Sequence, residues 1–335
     1  VQRASHAIVF PIRYESDRIL LVDAQSVEVS NVGPLSTFKF KIRRRVAVRV
    51  SEPEAPRPDV EPRQISIVAA GFTPNEADGL RRAMPGVNFV NGSRVTAQCR
   101  MYKSASEIAL IQFAMELTLR VQESAARILV PGISTTEVQD FLTAAHLGLG
   151  TDGLPAFRIV LFGEPTAYPH GVPYPQELKE GDMVLIDTAA TIDGYFSDIT
   201  RTYVFGDPSA RQREIWNLEK AAQAAAFSAA QVGAPAEAVD RAARDVIEAA
   251  GLGPGYAVPG LAHRTGHGIG LDVHEETYIV PGNTTVLAPG MCFSNEPMIC
   301  IYGEFGVRLE DHVYITAEGP RWFTQPSPSI DQPFE

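Results

Sequence analysis

Short apolar runs, separated by polar and proline-rich stretches, fill the first 100 residues or so of the chain. Runs of this length bounded by turn residues are typical of strands. We predict strands at HAIVF, RILLVD, RRRVAVRV, QISIVAA and VNFVN. A helix is predicted over Pro74–Met84 and a loop over Ser51–Arg63, which carries four prolines. Residues 1–102 are therefore expected to form a small α/β domain.

From Lys103 the pattern changes to long helices. Ser104 and Glu107 have the spacing of a capping box ahead of an apolar run that ends at Pro131–Gly132. A second box, at Ser134 and Glu137, opens TTEVQDFLTAAHLG. Two further helices are predicted, from Ala210 to about Gln231 and from Pro235 to Gly251. Extended and glycine-rich segments complete a predicted second domain over residues 103–335.

Composition narrows the range of partners. The 335 residues carry 29 Lys and Arg against 40 Asp and Glu, a net charge of −11, so nucleic acid is not an expected partner. No apolar run approaches the ~18 residues that a membrane span needs, so no membrane partner is expected. Three cysteines without paired spacing favour a reducing, cytoplasmic location. Because the sequence begins at Val1, the alternative is export to the periplasm after removal of a signal.

Asp187 and Asp198 flank a predicted hairpin whose turn is Asp193–Gly194, a dipeptide that favours two-residue turns. In that register Ala189 faces Asp198, and Asp187 lies on the same face. The two carboxylates are then diagonal neighbours, about 7–8 Å apart at the backbone. Like charges in an apolar strand pair are costly to bury, which points to a cation between them. An aspartate that faces solvent is an equally compatible reading.

Four of the seven histidines lie in segments rich in glycine or proline. His170 belongs to YPHGVP, and His263, His267 and His274 belong to HRTGHGIGLDVHEE. Glycines beside His267 allow backbone and imidazole to approach a ligand closely. One histidine in such a segment is more often structural, but three within twelve residues favour a site.

Glu296 and Glu310 lie in apolar, β-prone surroundings, where a lone carboxylate is uncommon. Either one alone is also compatible with the exposed face of an alternating strand. With Asp187, Asp198 and His267 they form a set of four carboxylates and one imidazole, which suits Mn, Co or Zn. Four negative charges match two divalent ions, and such a pair activates a water as a nucleophile. The predicted chemistry is hydrolysis of an amide or ester.

Four segments, LIDTAATIDGYFSDITRTY, HRTGHGIGLDVHEE, SNEP and GVRLEDHV, resemble the pita-bread metallopeptidases in their order and spacing. The resemblance is to the Xaa-Pro branch, which contains prolidase and aminopeptidase P, and it covers Lys103 to about Thr316. It implies an α+β fold, with a C-terminal pita-bread (creatinase/aminopeptidase) domain and a smaller N-terminal α/β domain of creatinase type. It also implies two divalent metal ions per chain, with Asp187, Asp198, His267, Glu296 and Glu310 as ligands.

The same resemblance assigns the reacting groups. Glu296 is implied as the general base and His274 as the donor to the scissile carbonyl. His170 is implied as a contact near the leaving side of the substrate. His263 and Arg308 are implied substrate-binding residues, and they distinguish this branch from the methionine aminopeptidases.

Arg308 precedes Glu310 by two residues and so lies on the same face of its strand. It can orient that carboxylate or hold a substrate carboxylate, and a purely structural ion pair is equally compatible with the sequence. Tyr195 and Thr200, on the Asp198 hairpin, are candidates for groups that support the ligands.

By this resemblance we predict hydrolysis of the bond before proline, in dipeptides or at the amino end of longer peptides, by a homodimer. A methionine aminopeptidase-like or other aminopeptidase is the nearest alternative, although it usually lacks an N-terminal region of this size. The creatinase branch lacks the acidic ligand set. A binding protein on the pita-bread fold is the alternative without catalysis, and loss of a ligand would mark it. All five ligand positions are intact.

Overall fold

The computed structural model describes residues 82 and 94–334 with their side chains. Of the remaining chain it describes the backbone of residues 6–11, 19–24, 26–29, 38–41, 66–69, 88–91 and 93. The chain divides into two compact units, Val1–Cys99 and Arg100–Glu335.

Six strands are described in the N-terminal unit: β1 (His6–Pro11), β2 (Ile19–Ala24), β3 (Ser26–Val29), β4 (Phe38–Lys41), β5 (Ser66–Ala69) and β6 (Asn88–Asn91). Four form a sheet in the order β2-β1-β5-β6, with β5 and β6 parallel, and β3 pairs with β4. Four of the five predicted strands are confirmed. The predicted strand RRRVAVRV and the Ser51–Arg63 loop lie outside the described residues, as does the Pro74–Met84 helix apart from Arg82, which is helical.

The described helices are α1 (Ser93–Met101), α2 (Ala105–Arg127), α3 (Thr135–Gly148), α4 (Ala210–Ala229) and α5 (Ala236–Ala249). Helix α1 was not predicted from the sequence, whereas α2 to α5 begin and end close to the predicted positions. Both predicted capping boxes are confirmed, because the Ser104 and Ser134 hydroxyls accept the amides of Glu107 and Glu137. A short 3₁₀ helix covers Glu164–Ala167. None of these described helices is long and apolar enough to cross a membrane.

The first sheet of the C-terminal unit contains β7 (Phe157–Phe162), β8 (Met183–Ala189) and β11 (Ile199–Val204), in the order β11-β8-β7. Between β8 and β11, the short strands β9 (Thr191–Ile192) and β10 (Tyr195–Phe196) form the predicted hairpin. Its turn residues Asp193 and Gly194 have φ angles of 51° and 82°, the left-handed conformation that a two-residue turn requires. Ile192 faces Tyr195, which confirms the predicted register.

The second sheet has the order β13-β12-β14-β17-β18. Its strands are β12 (Gly266–Gly268), β13 (Glu275–Ile279), β14 (Cys292–Asn295), β17 (Asp311–Thr316) and β18 (Gly319–Trp322). A hairpin of β15 (Met298–Ile301) and β16 (Phe305–Arg308) runs between β14 and β17. A bridge from Thr200 to Glu310 joins β11 to the start of β17, so the two sheets meet at the Asp198 hairpin.

Two helix pairs cover these sheets. Helices α4 and α5 bury an apolar face against the strands of the second sheet, and Val239, Ala243 and Ile247 have the spacing of one helix face. Helices α2 and α3 pack on β7 and β8 through residues such as Val121 and Val138. The candidate ligands lie between these cores, on strands that are held from both sides.

Candidate metal centre

The hairpin carries Asp187 and Asp198 into the interior. Asp187 lies on β8 opposite Thr200, and Asp198 directly precedes β11. Their exposed fractions are 5% and 3%, so the alternative of a solvent-facing aspartate is wrong. Burial raises the pKa of both carboxyls. For Asp198 the charges of nearby carboxylates add to burial, and its pKa lies well above the usual value.

Glu296 and Glu310 enter from the second sheet. Asn295 of β14 faces Asp311 of β17 in an antiparallel pair. Glu296, which follows Asn295, therefore lies beside Glu310, which precedes Asp311. The Thr200 hydroxyl donates to Glu310 Oε2 at 2.7 Å. Burial and the charges of neighbouring carboxylates raise the pKa of Glu310 well above its usual value. Acids from both sheets therefore converge.

His267 directs one ring nitrogen at these acids. Its Nδ1 donates to the carbonyl of Gly268 at 3.0 Å. Its Nε2 then faces Glu296 Oε1 at 3.2 Å, Asp198 Oδ2 at 3.8 Å and Glu310 Oε1 at 3.9 Å. This proton placement is the one that a metal-binding imidazole needs. Burial alone would raise the pKa of Glu296, but the positive charge and the Nε2 hydrogen bond that His267 offers when it is protonated outweigh burial and lower it.

Backbone crowding explains the glycines on both sides of His267. A β-carbon on Gly266 would lie 2.0 Å from the carbonyl oxygen of Ser294, and one on Gly268 would lie 2.4 Å from that of Glu276. Both distances are far inside van der Waals contact, so a larger residue would separate β12 from its neighbours. The glycines beside His267 are thus required by close packing of the strands, whereas the close approach to a ligand predicted from the sequence stays a prediction.

The chemistry of the unpaired atoms fits a divalent metal centre. Asp187 Oδ1, Asp198 Oδ1 and Glu310 Oε1 are buried and have no hydrogen-bond partner among residues 94–334. A buried carboxylate oxygen without a partner is costly. Arg308 brings a single positive charge into a cluster of four carboxylates. Divalent ions would supply both the missing charge and the missing partners.

Arg308 lies inside this cluster. Its guanidinium pairs with Asp187, and its Nε donates to the Thr200 hydroxyl at 3.1 Å. Its Nη1 donates to the carbonyl of Pro169 at 3.3 Å. Arg308 is thereby linked to Glu310 through the Thr200 hydroxyl. These contacts fit a role for Arg308 in orienting the carboxylates of Asp187 and Glu310, and its contact with substrate stays a prediction.

The three remaining predicted residues surround the acids. His274 stands edge-on to His267, with ring centroids 4.3 Å apart. Desolvation of its ring, with the charges of His267 and Arg264, lowers the pKa of His274 to about 4. Burial lowers the pKa of His263 to about 4 as well, and its buried Nε2 has no partner within the described part of the chain. His170 is exposed and close enough to affect the pKa of His274.

Sequence reasoning missed His312, which belongs to the same cluster. One ligand atom each from Asp198, His267, Glu310 and His312 lie within 4.8 Å of one another. Burial and the charge of His267 lower the pKa of His312 well below its usual value. The signal was present in LEDHV, because a residue two positions after Glu310 lies on the same face of a strand.

A buried ion pair behind the acids was also missed. Arg201 and Asp311 are fully buried, and Arg201 Nη2 lies 2.7 Å from Asp311 Oδ1. Arg201 Nη1 donates to the carbonyls of Thr200 at 3.1 Å and Glu310 at 3.0 Å. Gln223 donates to the other Asp311 oxygen at 3.1 Å. This pair therefore fixes the backbones that present Asp198 and Glu310.

A third group of charges holds the segment that carries His274. Glu275, the next residue, is buried and accepts from Lys103 Nζ at 2.9 Å and from Arg100 Nε at 3.0 Å. Its Oε1 also accepts the amide of Asp272 at 3.1 Å. The position of His274 consequently depends on two cations near the start of the C-terminal unit.

Known proteins with similar sequences are peptidases. The model of metallopeptidase family M24 matches residues 109–317, more than half of the chain. "Probable dipeptidase PepE" of Mycobacterium tuberculosis is 43% identical over 235 residues, 70% of this chain and 61% of its own length. The Xaa-Pro dipeptidase of Lactobacillus helveticus is 38% identical over 249 residues, 73% of this chain and 66% of its own. The chain thus spans about 61–66% of these curated relatives.

Solved structures agree with the sequence comparison. The prolidase from Pyrococcus furiosus matches with a TM-score of 0.70 at 33% identity, over 76% of this chain and 74% of that one. This likeness confirms the predicted α+β pita-bread fold, and the family match confirms the resemblance to the metallopeptidases. The chain belongs to metallopeptidase family M24.

Proposed function

We propose that this protein is a metal-dependent peptidase that hydrolyses the peptide bond before proline. The observation that carries the proposal is the convergence of four buried carboxylates and His267, with three carboxylate oxygens left unpaired. Relatives named Xaa-Pro dipeptidase and prolidase support the choice of bond.

Two divalent ions, Mn, Co or Zn, are the proposed cofactors, and five residues would hold them: Asp187, Asp198, His267, Glu296 and Glu310. When bound, such a pair lowers the pKa of a water and polarises a carbonyl oxygen. Carboxylate-rich donor sets suit these ions. The Nε2 atom of His267, whose ring is oriented by the Nδ1 hydrogen bond to the Gly268 carbonyl, would supply the nitrogen donor.

Glu296 and His274 are the proposed reacting groups. As a carboxylate, Glu296 can accept the proton of the attacking water and pass it to the leaving nitrogen. His274 is uncharged at neutral pH and stands beside His267, so one ring N–H is available to the carbonyl oxygen that gains charge. Loss of such a donor costs about 2.7–4 kcal/mol of transition-state stabilisation.

His263 and His170 are the proposed substrate contacts. His263 has a buried ring nitrogen without a partner among residues 94–334, which supports a hydrogen bond to the bound peptide. His170 is exposed and lies close enough to His274 for its charge to affect the pKa of that ring. In this proposal Arg308 acts on the substrate indirectly, because it orients Asp187 and, through Thr200, Glu310.

The test is hydrolysis of Ala-Pro, Ala-Pro-Ala and Met-Ala by protein that is stripped with a chelator and reloaded with Mn, Co or Zn. We expect metal-dependent release from at least one proline peptide. Glu296→Gln should lower kcat by about 10²-fold or more. The same change at the exposed Glu304 is the matched control and should leave kcat unaltered.

Each outcome assigns a function. Cleavage of Ala-Pro alone indicates a dipeptidase, and cleavage of Ala-Pro-Ala indicates an aminopeptidase. Turnover of Met-Ala without either proline peptide would instead favour the methionine aminopeptidase alternative. Metal uptake without turnover would favour a binding protein, and failure to bind metal would contradict the proposal. The homodimer stays a prediction, which light scattering in solution can test.

A further inference from the structure

We infer that His312 is an additional nitrogen donor of the metal centre and shifts its preference from Mn toward Zn and Co. This inference rests on the proposed function, because it requires that metal binds at the acids. The family resemblance implied five ligands and did not include this residue. Two observations support the inference: the position of His312 in the second sheet, and the short distances from its ring to three of the proposed ligands.

The sheet places His312 in a row with His267. Ser294 of β14 faces His312 of β17. Gly268 of β12 pairs with Phe293, so the preceding residue, His267, faces Ser294 from the other side. The two imidazoles therefore flank the same serine on one face of the sheet. Their ring centroids lie 6.0 Å apart at an interplanar angle of 68°.

The distances bring His312 within reach of a shared ion. One of its ring nitrogens belongs to a set of ligand atoms from Asp198, His267 and Glu310 that all lie within 4.8 Å of one another. The residue is fully buried, so water does not satisfy its ring. Neither ring nitrogen makes a well-formed hydrogen bond within the described part of the chain, and the Asp198 main chain lies beside the ring at the margin of hydrogen-bonding geometry.

A buried imidazole in this position changes the chemistry of the donor set. Four carboxylates with one imidazole suit Mn well, since Mn prefers oxygen donors. A second imidazole raises the nitrogen count from one to two on the side of Asp198 and Glu310. Imidazole donors favour Zn and Co over Mn, so the side chain of His312 would tune which ion is retained.

The experiment compares metal binding by the wild-type protein, His312→Gln and His312→Ala, with His146→Gln as control. His146 is also a fully buried histidine, but it lies on α3 and contacts Thr188 rather than the acids. Affinities for Zn, Co and Mn are measured by competition with a chelator, and the visible absorption spectrum of the Co-loaded protein is recorded. Circular dichroism shows which variants are folded.

We expect both His312 variants to bind Zn and Co about 10–100-fold more weakly, while Mn affinity changes less. The Co absorption band should shift, because a ligand has been exchanged, and the His146→Gln control should leave spectrum and affinities unaltered. An unchanged Co spectrum, or equal weakening for all three ions, would overturn the inference and leave His312 as a positioning residue.

The two proposals fail in different ways. If the wild-type protein binds no metal, the proposed function fails, and this inference fails with it. If the wild-type protein binds two ions and cleaves proline peptides while both folded His312 variants keep the wild-type Zn-to-Mn ratio, only this inference fails. If His312→Ala does not fold, the isosteric His312→Gln variant decides the outcome.

Discussion

The Thr200 hydroxyl links two halves of the candidate metal centre. It donates to Glu310 at 2.7 Å and accepts from Arg308 at 3.1 Å, and Arg308 in turn pairs with Asp187. Thr200→Val keeps the shape of the side chain and removes both hydrogen bonds. Each is a bond to a charged, buried group and is worth about 1.5–3 kcal/mol. We therefore expect the free energy of unfolding to fall by about 3–6 kcal/mol.

Urea unfolding followed by tryptophan fluorescence measures this loss, since both tryptophans, Trp216 and Trp322, lie in the C-terminal unit. At about 2–4 °C per kcal/mol for a unit of this size, the melting temperature should fall by about 6–24 °C. Metal affinity should fall about 10–100-fold, because Glu310 and Arg308 lose their shared support.

Thr200→Ser is the matched control. It keeps the hydroxyl and removes one methyl group, so its loss of stability should be about 1 kcal/mol. If the valine and serine variants unfold at the same urea concentration and bind metal equally, the hydroxyl does not hold the centre together and this reasoning is refuted.

Three further changes test other parts of the site. Asp198→Asn should raise the melting temperature of the metal-free protein, because it removes one of four neighbouring carboxylates, and should abolish any further rise on addition of Mn, Co or Zn. Burial lowers the pKa of His146 to about 4, so below pH 6.5 the unfolded chain binds a proton that the native protein does not. Between pH 7 and pH 4 the wild type should lose about 3 kcal/mol more than His146→Leu in urea unfolding. Lys103→Met leaves the buried Glu275 carboxylate with Arg100 as its one remaining cation among the described residues, which should cost about 3 kcal/mol in the same assay, and adding Glu275→Gln should restore most of it.

Opposite results would contradict each argument. A lower melting temperature for metal-free Asp198→Asn would mean that the aspartate is compensated without metal. Parallel pH curves for the wild type and His146→Leu would mean that His146 is protonated in the native protein. A double variant at Lys103 and Glu275 as unstable as the single one would mean that lost packing, rather than an unpaired carboxylate, causes the loss.

Local rules predicted the parts of the site that depend on one segment. The Asp193–Gly194 turn fixed the register of β9 and β10, and alternation then placed Asp187 and Asp198 on one face. The glycines beside His267 were predicted to allow close approach to a ligand, and the structure shows that they also allow close packing of neighbouring strands. Turn preferences and strand periodicity depend on a few neighbouring residues, so they can be predicted from a single sequence.

Contacts between distant strands could not be predicted in the same way. The pairing of Arg308 with Asp187 depends on how β16 lies against β8, and the sequence left three readings open. The inclusion of His312 required the register of β14 and β17. Arg201 and Asp311 look like ordinary outward-facing charges of alternating strands, and only the packing of the two sheets shows that they are fully buried.

The buried ion pair of Arg201 and Asp311 affects how metal ions can leave and re-enter the candidate metal centre. Arg201 holds the carbonyls of Thr200 and Glu310 together from the far side of the sheet, and Asp311 and Gln223 hold it in turn. The acids are therefore kept in convergence by the scaffold itself. Dialysis against a chelator should therefore remove the metal ions without unfolding the C-terminal unit. Metal added back should bind to a site whose ligands are already in position.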